Sequence, residues 1–215
     1  PTNLSIPFGR IKNISSTTLT AIGLEVAVGD IVKIESVLHL YTVLGMVASI
    51  DDKSFTIVPF SFIDGFRIQD KVYIQKDGLT VKCGYGLLGR VINALGEPID
   101  NKGKITDLEE NAAINKLSMP PLERGIIDQK FATGVKAIDS MLTSGKGQKV
   151  GIFAGSGVGK STLMGMIVKG CEAQIKVVAL IGERGSEIPE FIHYNLDNNL
   201  ENTVIVAATS DESAL

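Results

Sequence analysis

Lys160 and Ser161 follow three glycines at alternate positions, in the stretch Ala154-Gly155-Ser156-Gly157-Val158-Gly159-Lys160-Ser161-Thr162. That spacing suits the cradling of phosphate. Glycines let successive backbone N–H groups turn inward into a concave nest. A helix that begins there points its positive end at the same place. Lys160 adds a full charge for the β- and γ-phosphates of a nucleotide, and the Ser161 hydroxyl is a ligand for Mg²⁺. Gly155, Ser156, Gly157, Val158, Gly159, Lys160, Ser161 and Thr162 are therefore the candidate nucleotide-binding residues, with ATP and Mg²⁺ as the expected ligands. The pattern usually opens on glycine. Ala154 stands there instead, ahead of Gly157 and Gly159, where the phosphate approaches closest.

A second candidate lies at Gly182-Glu183-Arg184-Gly185-Ser186-Glu187, just past the apolar run Ile175–Ile181. In an open α/β sheet, ligands bind at the carboxyl ends of the strands. Glu183 is placed there to orient and polarise the water that attacks a γ-phosphate. Arg184 either stabilises phosphate charge or holds Glu183. Spacing alone equally allows an exposed Glu183–Arg184 loop pair. Glu187 and Glu190 read as the solvated face of the next helix. His39 and His193 lack ligand partners nearby in sequence and read as surface or core residues. Asp211 ends an apolar strand, but polar residues follow it, so it is not assigned the Mg²⁺-holding acid.

Regular elements must hold these groups. Val150–Phe153 reads as a short buried strand leading into the glycine loop, and Leu163–Val168 as the start of a helix with an apolar stripe. Ile175–Ile181 and Thr203–Ala208 read as buried parallel strands. Glu187 to about Leu196 reads as a helix with Ile188, Phe191 and Ile192 inward. Val135, Ile138, Met141 and Leu142 have helical spacing. Upstream, the pattern from Ile6 to about Leu79 is strand-like, with runs at Phe8–Ile14, Asp30–Glu35, Tyr41–Ile50, Phe55–Val58 and Lys71–Ile74. Turns separate them at spacings typical of a small β-barrel or sandwich. Its phenylalanines 55, 60, 62 and 66 read as core and lid residues. Gly86–Asp100 starts as a strand and ends in a turn, Asn101–Asn115 is a polar loop, and Met119-Pro120-Pro121 is extended. The expected domains are 1–83, a small β-barrel serving assembly, and 84–215, an α/β phosphate-binding core whose parallel sheet is incomplete.

Composition narrows the classes. The chain has 215 residues, 44% of them hydrophobic, and a net charge of −3. That balance suits a globular protein and supplies no basic field for nucleic acid. The barrel region shows no interleaved basic and aromatic stripe, so no nucleic-acid partner is expected. No apolar run reaches membrane-spanning length. Two cysteines without a secretory signal point to reduced packing residues and a cytoplasmic location. The chain starts at Pro1, which suggests a trimmed sequence.

Gly147–Leu163, read whole, resembles the flagellar and type III secretion ATPases, relatives of the rotary ATP synthase catalytic subunits. Leu87–Asp100, Thr133–Asp139, Gly182–Gly185 and Val206–Asp211 resemble further blocks of that family. The resemblance implies a six-stranded N-terminal barrel that supports a homo-hexamer and a RecA-like core. It implies that Lys160 and Ser161 serve phosphate and Mg²⁺, that Glu183 is the catalytic carboxylate, and that Arg184 neighbours it. Ser186 stands where the family's secretion branch usually has Arg, so no role carries over to it. The implied activity is ATP hydrolysis that energises protein export. The implied partners are export-apparatus proteins, a stator-like regulatory subunit and substrate–chaperone complexes. The implied place is the cytoplasmic face of the inner membrane, reached through partners. A rotary proton- or sodium-driven synthase subunit, an RNA translocase and an inactive assembly module are the alternatives. Family members continue through a strand ending in the Mg²⁺-holding Asp, an arginine finger and a helical C-terminal domain. The expectation is a C-terminally truncated member whose third strand lies at an unfinished sheet edge. Such a chain cradles phosphate with negligible turnover.

Overall fold

The structure is a computed structural model, and it describes residues 6–36, 41–114, 118–155 and 157–210. His39, Ser156 and Asp211 lie outside the described residues. The chain divides into two compact units, 6–81 with 113–114, and 82–112 with 118–210.

Six strands build the first unit: β1 (Gly9–Ile14), β2 (Leu19–Ile22), β3 (Ile31–Glu35), β4 (Thr42–Asp51), β5 (Ser54–Pro59) and β6 (Lys71–Ile74). They close into an antiparallel barrel in the order β1-β2-β5-β4-β3-β6. Closure removes every sheet edge. The alternating pattern explains it: Ile11, Leu19, Ala21, Val32, Ile34, Val47, Ile57 and Val72 point inward and are buried. Of the four phenylalanines, Phe55 and Phe66 join this core, whereas Phe62 is exposed. Strand β2, only Leu-Thr-Ala-Ile, is too short to stand out in sequence.

The rest of the chain holds β7 (Thr80–Cys83), β8 (Val91–Ile92), β9 (Glu110–Ala113), β10 (Lys130–Phe131), α1 (Lys136–Met141), β11 (Ser144–Gly145), α2 (Lys160–Gly170), β12 (Lys176–Glu183), α3 (Glu187–Glu190) and β13 (Thr203–Thr209). Gly86–Asp100 opens with a 3-10 turn at Tyr85–Leu87 rather than a strand. β7 pairs with β9 and β10 with β11. The main sheet of this part has the order β12-β13-β8, all parallel. Val178, Leu180, Ile205 and Ala207 face Ile188, Phe191, Leu196 and Leu200 in its core, and Met164 and Val168 of α2 pack on it.

Three expectations are corrected here. β13 is the central strand, because β8, over a hundred residues earlier, pairs along its other side. Val150–Phe153 is not a strand, and Val150 and Phe153 are 63% and 97% exposed. None of the described strands hydrogen-bonds to it, so nothing holds it in a ladder. β12 also departs from full burial: Val178 and Leu180 face inward while Val177 and Ile181 are exposed. Among the described residues no helix is long and apolar enough to cross a membrane.

Candidate functional site

The glycine loop passes straight into α2. Gly157 and Gly159 have φ of 76° and 96°, in the left-handed region that residues with a Cβ rarely adopt. Gly159 is the cap residue, Lys160 opens the helix, and Leu163 donates to the Gly159 carbonyl at 2.9 Å as the first bond of the ladder. Among the described bonds, no backbone N–H from Gly157 to Thr162 is donated to protein. These are the orphan donors of a helix N-terminus, extended into the loop before it. Gly155, Gly157, Val158, Gly159, Lys160, Ser161 and Thr162 are all exposed. These N–H groups, Lys160 and the Ser161 hydroxyl fit a Mg²⁺-bound polyphosphate in chemistry and charge.

β12 brings Glu183 to the same place. Ile181 pairs with Ala208 and Glu183 with Thr209, so Gly182 is a bulge, with φ of 71°. A bulge re-aims the side chain after it. Ser210 N–H donates to the Glu183 carbonyl at 3.0 Å and fixes the strand end. Glu183 lines a cavity of about 290 Å³ together with Ser161 and Met164 of α2, Leu180, and Glu187, Glu190, Phe191, Tyr194 and Asn195.

Glu187 N–H donates to the Arg184 carbonyl at 2.9 Å, and this turn folds Glu187 back onto Glu183. The Glu183 carboxyl is pushed above its ordinary value, first by its hydrogen bond with the Glu187 side chain, then by burial and by the Glu187 charge; Lys160 pulls it down. The helix that carries Glu187 continues as a π-turn over Phe191–Asn195, a distortion frequent at functional sites. His193 lies 3.0 Å from the Asn198 amide and stacks edge-on against Tyr194.

Ser161 and Glu183 thus share one cavity, and Lys160 acts on Glu183 electrostatically. The side chain of Arg184 is exposed and does not line the cavity, and neither do Gly155, Gly157, Val158, Gly159 or Thr162. Glu187 and Glu190 are exposed as expected, yet their face turns toward the site, which the helical pattern alone did not convey. The signal for Glu187 was its spacing, four residues after Glu183 across a glycine turn.

Residues 134–215 match the ATP synthase alpha/beta family, nucleotide-binding domain. The flagellum-specific ATP synthase of Helicobacter pylori (strain J99) is 54% identical over 212 residues, 99% of this chain and 48% of that protein. The type 3 secretion system ATPase of Xanthomonas euvesicatoria is 35% identical over 97% of this chain and 47% of its own length. The assembled ATPase EscN, solved with its central stalk EscO from the type III secretion system of enteropathogenic E. coli, superposes with a TM-score of 0.84. It is 38% identical, over 95% of this chain and 49% of EscN. The chain spans about half the length of these relatives. The barrel, the parallel sheet and this likeness across nearly every residue agree, and the chain is homologous to about half the length of the flagellar and type III secretion ATPases.

Proposed function

We propose that this chain binds ATP with Mg²⁺ at Gly155–Thr162 and forms the nucleotide-binding part of an ATPase that energises flagellar or type III protein export. The observation that carries the reading is the run of N–H groups from Gly157 to Thr162, which donate to no acceptor among the described residues, together with Ser161 sharing one cavity with Glu183. The loop and Lys160 hold the phosphates, and Ser161 holds Mg²⁺. Bound Mg²⁺ neutralises charge on the phosphate oxygens. Glu183 orients the attacking water and accepts its proton, while Arg184 supports the site from its rim. Within this reading residues 1–83 are the assembly domain and 84–215 the N-terminal part of a RecA-like ATPase domain. The protein forms a homo-hexamer at the cytoplasmic face of the inner membrane, with a central stalk, a stator-like subunit, export-apparatus proteins and substrate–chaperone complexes as partners. The names of the relatives favour export over a rotary synthase subunit.

Calorimetry with Mg²⁺–ATP tests the site. Lys160→Ala is expected to weaken binding at least tenfold or so, the loss of a charged hydrogen bond. Ser161→Ala is expected to remove the dependence of affinity on Mg²⁺. Unchanged affinity in Lys160→Ala contradicts the assignment.

A further inference from the structure

The stretch Thr133–Asp139 takes no part in the cavity around Glu183, yet it is tightly built. Helix α1 follows a turn at residues 132–135, and Asp139 on that helix reaches back over the turn. Asp139 Oδ1 accepts the Thr133 N–H at 2.8 Å and the Thr133 hydroxyl at 2.7 Å, and Oδ2 accepts the Gly134 N–H at 2.9 Å. The Thr133 N–H, above all, holds the carboxyl below its ordinary value. Thr133 is buried, and its hydroxyl oxygen accepts the Val135 N–H at 3.3 Å. One carboxylate thus fixes two consecutive peptide groups.

That turn is packed against the last residue of α2. Gly134 has φ of 77°, and a Cβ there would lie 2.5 Å from the Gly170 Cα, carbonyl carbon and carbonyl oxygen. A Cβ on Gly170 would lie 3.0 Å from the Gly134 Cα and 3.3 Å from the Thr133 carbonyl oxygen. Backbone therefore meets backbone, with no flexible side chain between to give way. Just past the helix end, the Glu172 N–H donates to the Ala132 carbonyl at 3.2 Å, and Lys146 pairs with Glu172 at 3.7 Å. The pairing of β10 with β11, Phe131 opposite Ser144, closes the brace behind the turn. From Gly170 the helix runs back 11 residues to Lys160, about 16 Å at 1.5 Å per residue. A hydrogen-bonded helix is a rigid element, and a displacement at one end reappears at the other.

We propose that Asp139 is a positioning residue for the phosphate-binding loop: by holding Thr133 and Gly134 it sets a backstop against Gly170, and α2 carries that position to the N–H groups of Gly159–Thr162. This inference rests on the reading of Gly155–Thr162 as the nucleotide site and names the group that sets its depth. Asp139 acts by holding backbone and not through its charge. It stands at the Gly170 end of α2, a helix length from Lys160, and that exceeds the screening length of about 8 Å at physiological salt.

Calorimetry of the whole chain with Mg²⁺–ATP is the test, with each variant kept well below its unfolding transition. Asp139→Ala is expected to weaken binding about fivefold or more, because a small misplacement far from the chemistry is felt at the site. Gly170→Ala is expected to weaken it as well, although alanine is the better helix former and a purely structural role predicts no loss. Asp100→Asn, in the segment from Gly89 to Gly103, lowers stability and is expected to leave affinity within about twofold, since changes at distant, independent sites do not couple. In nucleotide-free protein, the NMR signals of the Lys160, Ser161 and Thr162 amides are expected to move in Asp139→Ala and Gly170→Ala and to stay in place in Asp100→Asn. Wild-type affinity in either Asp139→Ala or Gly170→Ala overturns the proposal. So does a loss of affinity in Asp100→Asn equal to that in Asp139→Ala, because general destabilisation then explains both. A wild-type chain that binds no Mg²⁺–ATP overturns the nucleotide reading instead, and the amide signals, read without nucleotide, still decide for or against the brace.

Discussion

Glu183 faces two neighbours that pull its proton in opposite directions. The Glu187 side chain favours the protonated form and Lys160 the ionised form, and the net effect is a raised titration. Glu187→Gln replaces the neighbouring carboxylate with a neutral amide. The Glu183 titration is expected to fall toward the ordinary glutamate value of about 4.3, and Lys160→Ala is expected to raise it. Carboxyl carbon NMR on the two variants checks both directions. The sign carries into stability. A carboxyl raised in the folded state contributes stability below its unfolded titration and loses it as pH rises through the folded one. Glu187→Gln is thus expected to raise the melting temperature at neutral pH and to have little effect well below pH 4 or so, where both carboxyls are protonated.

At the scale of elements, two glycines decide where the chemistry can occur. Gly182 makes the bulge that turns Glu183 out of the β12 register. Gly182→Ala puts a Cβ into the left-handed region, at a cost of about 1–2 kcal/mol. Denaturant unfolding measures the cost, and loss of the upward shift of Glu183 reports the changed aim. Gly165 lets α2 approach the π-turn: a Cβ there comes within 2.5 Å of the Asn195 Cβ and 3.0 Å of its carbonyl oxygen. Gly165→Val is expected to cost about 1–3 kcal/mol by overpacking and to weaken nucleotide binding by shifting α2. These elements were legible in part. Helix α2, strands β12 and β13 and the helix after Glu187 followed from apolar spacing. Val150–Phe153 did not become a strand, because an apolar run specifies a strand only where a neighbour completes its hydrogen bonds.

At the scale of the molecule, Arg90 and Asp100 close the segment from Gly89 to Gly103. The pair is bidentate, at 2.7 and 2.8 Å, with side chains only 12% and 6% exposed. Val91 and Lys102 N–H groups also donate to Asp100, and Lys102 Nζ reaches the Gly89 carbonyl at 2.9 Å. The Arg90 guanidinium, above all, holds the Asp100 carboxyl well below the usual carboxylate range. Its stabilisation is full above the unfolded titration near pH 4 and is lost as pH falls below it. Asp100→Asn is expected to destabilise the protein by a few kcal/mol at neutral pH and to flatten the acid side of the stability curve; urea unfolding as a function of pH checks this.

The sequence by itself determined what depends on neighbours along the chain. The glycine spacing before Lys160 and Ser161, the alternation that lays Ile11, Val32, Ile34 and Ile57 on one face, and the position of Glu183 at a strand end are all local properties. Backbone preference and periodicity express them without reference to a partner. Only the tertiary structure decided which distant segments meet. It placed β8 along β13, folded Glu187 onto Glu183, and closed six strands into one barrel. Those outcomes turn on long-range pairing and shared burial, and many alternative partners satisfy the same local pattern.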